Sequence, residues 1–140
     1  MTYPLEYYYQ MIEKIISDFG VDPELCKGVR PGQYDLKKGS ASVWIDIWKL
    51  ENENYGYIQI LAPVTEIPEE NLLAFYEFIL ETNHKLYGVA LTKFENWIYV
   101  KAIRELEGLE ENEAKAMFNR VGNYADEYDD LIKSKFKIKN

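Results

Sequence analysis

"ASVWIDIWKLENENYGYIQILAPV", Ala41 to Val64, decides the architecture of this chain. Two apolar, alternating runs flank "ENEN", whose acids and asparagines suit a hairpin turn, and so short a connection makes its strands antiparallel. In the first run Val43, Ile45 and Ile47 point one way, while Trp44, Asp46 and Trp48 point the other. A half-buried strand should carry one apolar and one polar side. Here the second side holds two of the chain's three tryptophans around a carboxylate. In the second run Ile58, Ile60, Ala62 and Val64 share one face, and Tyr57, Gln59 and Leu61 the other. Pro63 has no N–H to give a ladder, so the strand is expected to end there or to lie at an edge.

Working outward from the hairpin, a first helix is expected from Pro4 to about Phe19. Pro suits the first helical position, Thr2 is close enough to assist the cap, and Gly20 offers a stop. Leu5, Tyr8, Ile12, Ile15, Ile16 and Phe19 fall on one stripe. "VDPELCKGVRPG" follows as a loop, with a helical turn expected at Pro23–Cys26. "QYDLKK" is a weak, polar strand that suits a sheet edge. Beyond the hairpin, "IPEENLLAFYEFILETNHKLYG" is expected to be helical, with Pro68 at its first position and Glu69 and Glu70 in a first turn that favours anions. Leu72, Tyr76, Ile79 and Asn83 share a stripe that Leu73, Leu80 and Tyr87 extend, and Phe75 and Phe78 widen the apolar surface further. A helix so broadly apolar needs cover on more than one side, from the sheet and another helix or from a second subunit.

"GVALTKFE" and "NWIYVKAIREL" are two more strands, turning around Glu95–Asn96. A last helix is expected from near Glu110 to about Lys133, with Ala114, Phe118, Val121, Ala125, Tyr128 and Ile132 at helical spacing. Gly122 lowers its propensity by roughly 1 kcal/mol without breaking it. The order is α-β-β-β-α-β-β-α: an α+β sandwich with an antiparallel five-stranded sheet and helices packed mainly on one face. No repeat, low-complexity linker or second domain is visible, so residues 1–140 are expected to form one domain.

A chain of 140 residues can bury roughly two-thirds of its unfolded surface. The net charge of −8 argues against nucleic-acid binding, because no basic excess is there to neutralise phosphates. Charge is uneven: residues 133–140, "KSKFKIKN", form a basic tail with no acid, expected as a solvated, frayed end. The 12 tyrosines suit half-exposed positions where the ring packs and the hydroxyl stays wet. The one cysteine, Cys26, cannot form an internal disulfide, which fits a reducing compartment. No basic-then-apolar leader opens the chain, and no apolar run approaches the roughly 20 residues of a membrane span. A cytoplasmic protein without a membrane partner is the expectation.

Little assembles toward chemistry. His84, the one histidine, stands at the end of the second helix, where the dipole favours its charged form. As a base it would need a nucleophile and an orienting group beside it. One His and one Cys do not build a zinc set, and no calcium loop is present, so neither metal nor cofactor is expected. Asp46 is the most interesting acid, since apolar neighbours can push a carboxyl toward acid–base work; an outward Asp on an uncovered sheet face is the plainer reading. No phosphate loop, dinucleotide fingerprint or nucleophile elbow occurs.

With the elements in place, "YGYIQILAPVTEIPEENLLAFYEFILETNHKLYGVALTKFENWIYVKAI" resembles the YbjN family and the related type III secretion chaperone-like fold. The resemblance rests on "ILAPV", on "PEENLLAFYEFI" with "LETN" (Leu80 to Asn83), on "GVALTKFENWIYVKA" and on the closing "GLEENEAKAMFNRVGNYADEYDDLI". It covers about residues 40–132. It implies a bacterial, non-enzymatic α+β protein, often a homodimer, binding a partner polypeptide in the secretion chaperones and loosely described as sensory or regulatory in the YbjN group. It brings no catalytic residues.

The leading expectation is therefore a cytosolic binding module, a homodimer as the resemblance implies, holding a client polypeptide on apolar patches. Trp44, Asp46, Trp48, Tyr57, Phe75 and Phe78 are its candidate partner or dimer surface. The alternatives are a small-molecule-responsive regulator with a pocket under the tryptophans, and a hydrolase using Asp46 or His84.

Overall fold

The computed structural model describes residues 3–138. Their order is α1 (Leu5–Asp18), a 3₁₀ turn (Pro23–Leu25), β1 (Gln33–Lys38), β2 (Ala41–Lys49), β3 (Gly56–Glu66), α2 (Leu72–Asn83), β4 (Ala90–Phe94), β5 (Trp97–Glu105) and α3 (Glu111–Phe136). The strands form one antiparallel sheet in the order β1-β2-β3-β5-β4. β1 is an edge, as its polar sequence suggests, although Tyr34 and Leu36 turn inward and are buried.

Register fixes the two faces. Ile47 opposes Ile58 and Ile45 opposes Ile60, and beyond them Ile60 opposes Ala102 and Ala62 opposes Val100. All of these are buried, together with Val43, Ile98 and Leu91. They meet Tyr8, Ile12, Ile15 and Ile16 of α1 and Ala114, Phe118, Val121, Ala125 and Ile132 of α3 in one core. Burying each such aliphatic side chain contributes about 1.5–3 kcal/mol. All three helices lie on this side of the sheet.

Pro63 sits inside β3, not at its end. The strand runs on to Glu66 through an irregularity between Pro63 and Thr65, and there it pairs with β5 alone, because its pairing with β2 stops at Leu61 opposite Trp44. Pro63 therefore faces a locally unpaired edge, where a missing N–H costs little.

α1 keeps its expected stripe, but Pro4 is the extended N-cap residue and not the first helical one. Thr2 lies outside the described residues. α2 begins at Leu72, four residues later than Pro68, because Asn71 takes a left-handed conformation (φ 59°) that a helix cannot pass through. Pro68, Glu69 and Glu70 belong to the approach. At the other end Asn83 brackets the backbone of β4: its Nδ2 donates to Leu91 O at 3.1 Å and its Oδ1 accepts from Leu91 N at 2.6 Å. That pair occupies a sheet edge that would otherwise be open.

α3 starts with a capping box. Glu110 N donates to Glu113 Oε1 at 3.0 Å, and the Glu110 side chain accepts in return from the backbone at Glu113. The helix then continues past Lys133 to Phe136, so the first half of the expected basic tail is structured. Phe136 anchors it, with ring centroids 5.1 Å from Phe75 and 5.7 Å from Phe78. Lys139 and Asn140 lie outside the described residues. Gly122 has a packing reason: a Cβ there would lie 2.8 Å from Lys38 Cβ, so glycine lets α3 approach the β1–β2 hairpin. No helix among the described residues is long and apolar enough to cross a membrane.

Candidate functional site

Alternation sends the other half of every strand to the opposite face of the sheet, where no helix packs. In register across it stand Trp48, Tyr57 and Glu105; Asp46, Gln59 and Ile103; and Trp44, Leu61, Lys101 and Ala90. Trp44 is 37% exposed and Ile103 48%, with Trp48, Tyr57, Leu61 and Tyr99 half-buried among their neighbours. Rings support one another across strands. Trp48 stacks on Tyr57 at 5.9 Å between centroids, and Trp44 leans on Tyr99 at 6.2 Å. Burial first, then Glu53 and Glu105, push the Tyr57 hydroxyl up from its ordinary value, so it stays a neutral hydrogen-bonding group. Toward β4, Phe94 and Trp97 continue the exposed aromatic surface.

One edge of this face is walled by the loop before β1. Val29 is wholly exposed and stands with Trp44, Leu61, Gln59 and Asp46 around a groove of about 330 Å³. Arg30 reaches from that loop and donates to Asp46 Oδ2 at 2.8 Å. The second carboxylate oxygen, Oδ1, is enclosed and makes no hydrogen bond. Asp46 is thus half of an ion pair at the foot of an apolar groove, and the pair fixes the loop against β2. Among the described residues, the groove's lining holds no serine, threonine, cysteine, lysine or histidine.

The six candidate surface residues divide. Trp44, Asp46, Trp48 and Tyr57 lie together on the open face. Phe75 does not: it is fully buried on the helical side, edge-on to Tyr76 and Phe136, and so belongs to no surface. Helical breadth misassigned it, because α2 turns Phe75, Ile79 and Thr82 inward and leaves Leu73 and Leu80 outside at 82% and 70% exposure. Phe78 is half-buried on the same helix, against Phe136 and under the Lys135 ammonium, 5.3 Å from its ring centroid. His84 is exposed at the end of α2, and Cys26 is buried near the start of β1. Among the described residues no group of three or more His, Cys, Asp and Glu could hold a metal ion.

Tyr99 and Ile103 were missed as face residues although "NWIYVKAIREL" alternates as clearly as "VWIDIW". The signal was parity, usable once β5 is known to pair with β3. Val29 and Arg30 carried no sequence signal, since a loop's path over a face is not periodic.

No protein-family model and no curated protein matches the chain, so the YbjN name expected from the sequence has no support there. Solved structures do match over nearly the whole length. A chain of the ExsC–ExsE complex superposes with a TM-score of 0.66 at 11% identity, covering 90% of this chain and 93% of that one. A chain of the HopA1–SchA chaperone–effector complex gives 0.66 at 7% identity, covering 92% and 99%. A chain of the heterodimeric ExoU–SpcU complex, from the type III secretion system of Pseudomonas aeruginosa, gives 0.62 at 12%, covering 86% and 96%. The fold is the type III secretion chaperone-like fold.

Proposed function

We propose that this chain is a non-enzymatic, chaperone-like protein that holds a partner polypeptide on the open face of its sheet. The observation that carries the reading is the pairing of a covered and an uncovered face. Three helices crowd one side, while Trp44, Trp48, Tyr57, Leu61, Tyr99 and Ile103 form the other without a layer over them. Contiguous apolar surface of this kind marks an interaction site in a soluble domain, and aromatic residues dominate the centres of protein interfaces. Support comes also from the matched structures, each a complex of two proteins and one a chaperone with its effector. A net charge of −8 suits a protein that keeps such a surface dispersed in the cytoplasm.

The chain acts as a homodimer in this reading, through the second apolar patch. Leu73 and Leu80, seven residues apart on one stripe of α2, project from the covered side of the molecule with Leu72 beside them. Two copies of that stripe would meet by a two-fold axis, leaving the sheet faces free. Light scattering tests this: the wild type should run at twice the chain mass and Leu73→Asp at the chain mass. A wild-type monomer would refute the dimer and leave the sheet-face reading to its own test.

A second reading, a small-molecule-responsive regulator, is favoured by the groove beneath Val29 and Trp44. A saturable change in tryptophan fluorescence with one metabolite, abolished in Trp44→Phe, would establish it over polypeptide binding.

A further inference from the structure

Past Lys101 the sheet lacks its last strand. β4 begins at Ala90 opposite Lys101, so residues 102–105 of β5 have β3 on one side and no strand on the other. Gly88 would oppose Ile103 if β4 ran two residues further back, but its φ of 70° turns the backbone out of the strand. Parity tells which groups this leaves open. Leu91 turns its N–H and C=O to Asn83, away from β5, so Ala90 and Thr92 carry the bonds to Lys101 and Tyr99. At the other end Leu106 donates to Gly56 O, so the even-numbered residues of β5 bond β3. Both ends agree that Ile103 aims its N–H and C=O at the vacant side, and neither group has a hydrogen-bond partner among the described residues.

A groove of about 310 Å³ lies over that vacancy, between Gly88, the end of β5 and the first half of α3. Ala102, Ala116 and Met117 give it apolar walls, and three charged side chains, Arg104, Glu113 and Arg120, complete them. Two of the three are committed to each other and to the backbone. Arg104 donates to Glu113 Oε2 at 3.0 Å and to the carbonyls of Glu105 and Glu107, while Glu113 Oε1 accepts the Glu110 N–H. Arg120 is the exception. It is half-buried, and its Nη1 lies so near Gly88 that a Cβ there would stand 3.0 Å from it. Of the chain's three arginines it alone has no ion pair or hydrogen bond among the described residues. The lining thus carries one unmatched positive charge in a chain of net charge −8.

We infer that this groove receives an acidic side chain of the bound polypeptide, held by Arg120 while the backbone of the same segment bonds Ile103. A guanidinium presents its donors in a fork that matches a carboxylate. The free N–H and C=O of Ile103 are a template for an extended segment, which would run where Gly88 leaves the sheet, beside Arg120. A neutral side chain there would leave the guanidinium unmatched, and a basic one would be repelled. The inference rests on the polypeptide-binding reading and adds one feature of the partner: an Asp or Glu in the segment that passes the β4–β5 margin of the sheet.

The test is amide NMR of the full chain titrated with two capped pentapeptides, acetyl-Thr-Val-Glu-Val-Thr-amide and the same peptide with Gln for Glu. The Glu peptide should shift the Gly88 and Ile103 amides and the Arg120 Nε–H saturably. The Gln peptide should bind about threefold more weakly. Arg120→Gln, which removes no contact within the chain, should keep the wild-type unfolding midpoint and bring the Glu peptide down to the affinity of the Gln peptide. Salt should shrink the difference between the peptides in wild type. Equal binding of both peptides to wild type, an Arg120→Gln loss that is the same for both, or shifts absent from Gly88 and Ile103 would overturn the inference. A Gln peptide with a free C-terminal carboxylate that binds as well as the Glu peptide would assign the groove to a chain end. A lower mass of Arg120→Gln in light scattering would assign it to a second copy, and either result also overturns the inference. A polypeptide that Trp44→Glu, Leu61→Glu releases while Arg120→Gln holds it unchanged overturns this inference alone.

Discussion

Arg30 crosses from the loop before β1 to donate to Asp46 at 2.8 Å, tying a loop that carries the wholly exposed Val29 to the middle of an aromatic sheet face. The acid is the less exposed partner, 23% against 58% for the arginine side chain, and its second oxygen already lacks a hydrogen bond. Arg30→Ala should therefore cost about 1 kcal/mol in chemical denaturation. Asp46→Ala in the same chain should restore most of that, since an enclosed carboxylate without its cation is the expensive state. A double variant as unstable as the single one would contradict the pairing.

The contact of Phe136 with Phe75 and Phe78 makes the end of α3 part of the core margin. Phe136→Ala should lower stability by about 2 kcal/mol, combining lost burial with two lost ring contacts. Lys135→Ala, on the exposed side of the same turn, should cost less than half as much. Equal effects would mean that this segment is the solvated tail its four lysines suggest.

Gly122→Ala poses two effects of opposite sign. Helix propensity favours alanine by about 1 kcal/mol, but the new methyl would press on Lys38 Cβ at 2.8 Å, an atom next to the β1 backbone and not the far end of a flexible side chain. Overpacking of this kind costs about 1–3 kcal/mol. Net destabilisation is expected; a variant more stable than wild type would show that α3 has room to lift.

Tyr34 gives a pH signature. Its hydroxyl donates to Glu13 Oε2 at 2.8 Å from a buried site, and burial first, then Glu13, raise its ionisation well above the ordinary tyrosine value of about 10. The folded state keeps this proton while the unfolded state releases it, so its contribution is complete below about pH 10 and is lost as pH rises beyond that, by up to about 1.4 kcal/mol per unit. Tyr8, Tyr9 and Tyr128 add in the same direction, each raised first by burial. Tyr34→Phe should flatten the alkaline fall measured by denaturation between neutral pH and strong alkali. An unchanged slope would remove Tyr34 from the account.

Sequence made the sheet legible because period-two alternation in "VWIDIW" and "YGYIQILAPV" is a backbone property that survives any context. It placed Trp44, Trp48 and Tyr57 on the second face for the same reason. It failed where two solutions were chemically close. Pro68 and Leu72 both make plausible helix starts, and the choice fell to the left-handed Asn71. Phe75 and Leu73 are equally apolar, and only the position of β4 and Phe136 decides which turns inward. The end of α3 was obscured by its lysines, although Phe136 stands four residues after the buried Ile132, on the same stripe.

The most direct test joins the sheet face to the partner. The chain, expressed in its native host and purified with its complexes intact, is compared with the double variant Trp44→Glu, Leu61→Glu, both first checked for equal folding. The account predicts that wild type carries one polypeptide in fixed stoichiometry, with slowed amide exchange across β2, β3 and β5, and that the variant loses it. A variant that retains the polypeptide in full, or a partner whose protection maps to the helical side, would contradict the claim that the open face of the sheet is the binding surface.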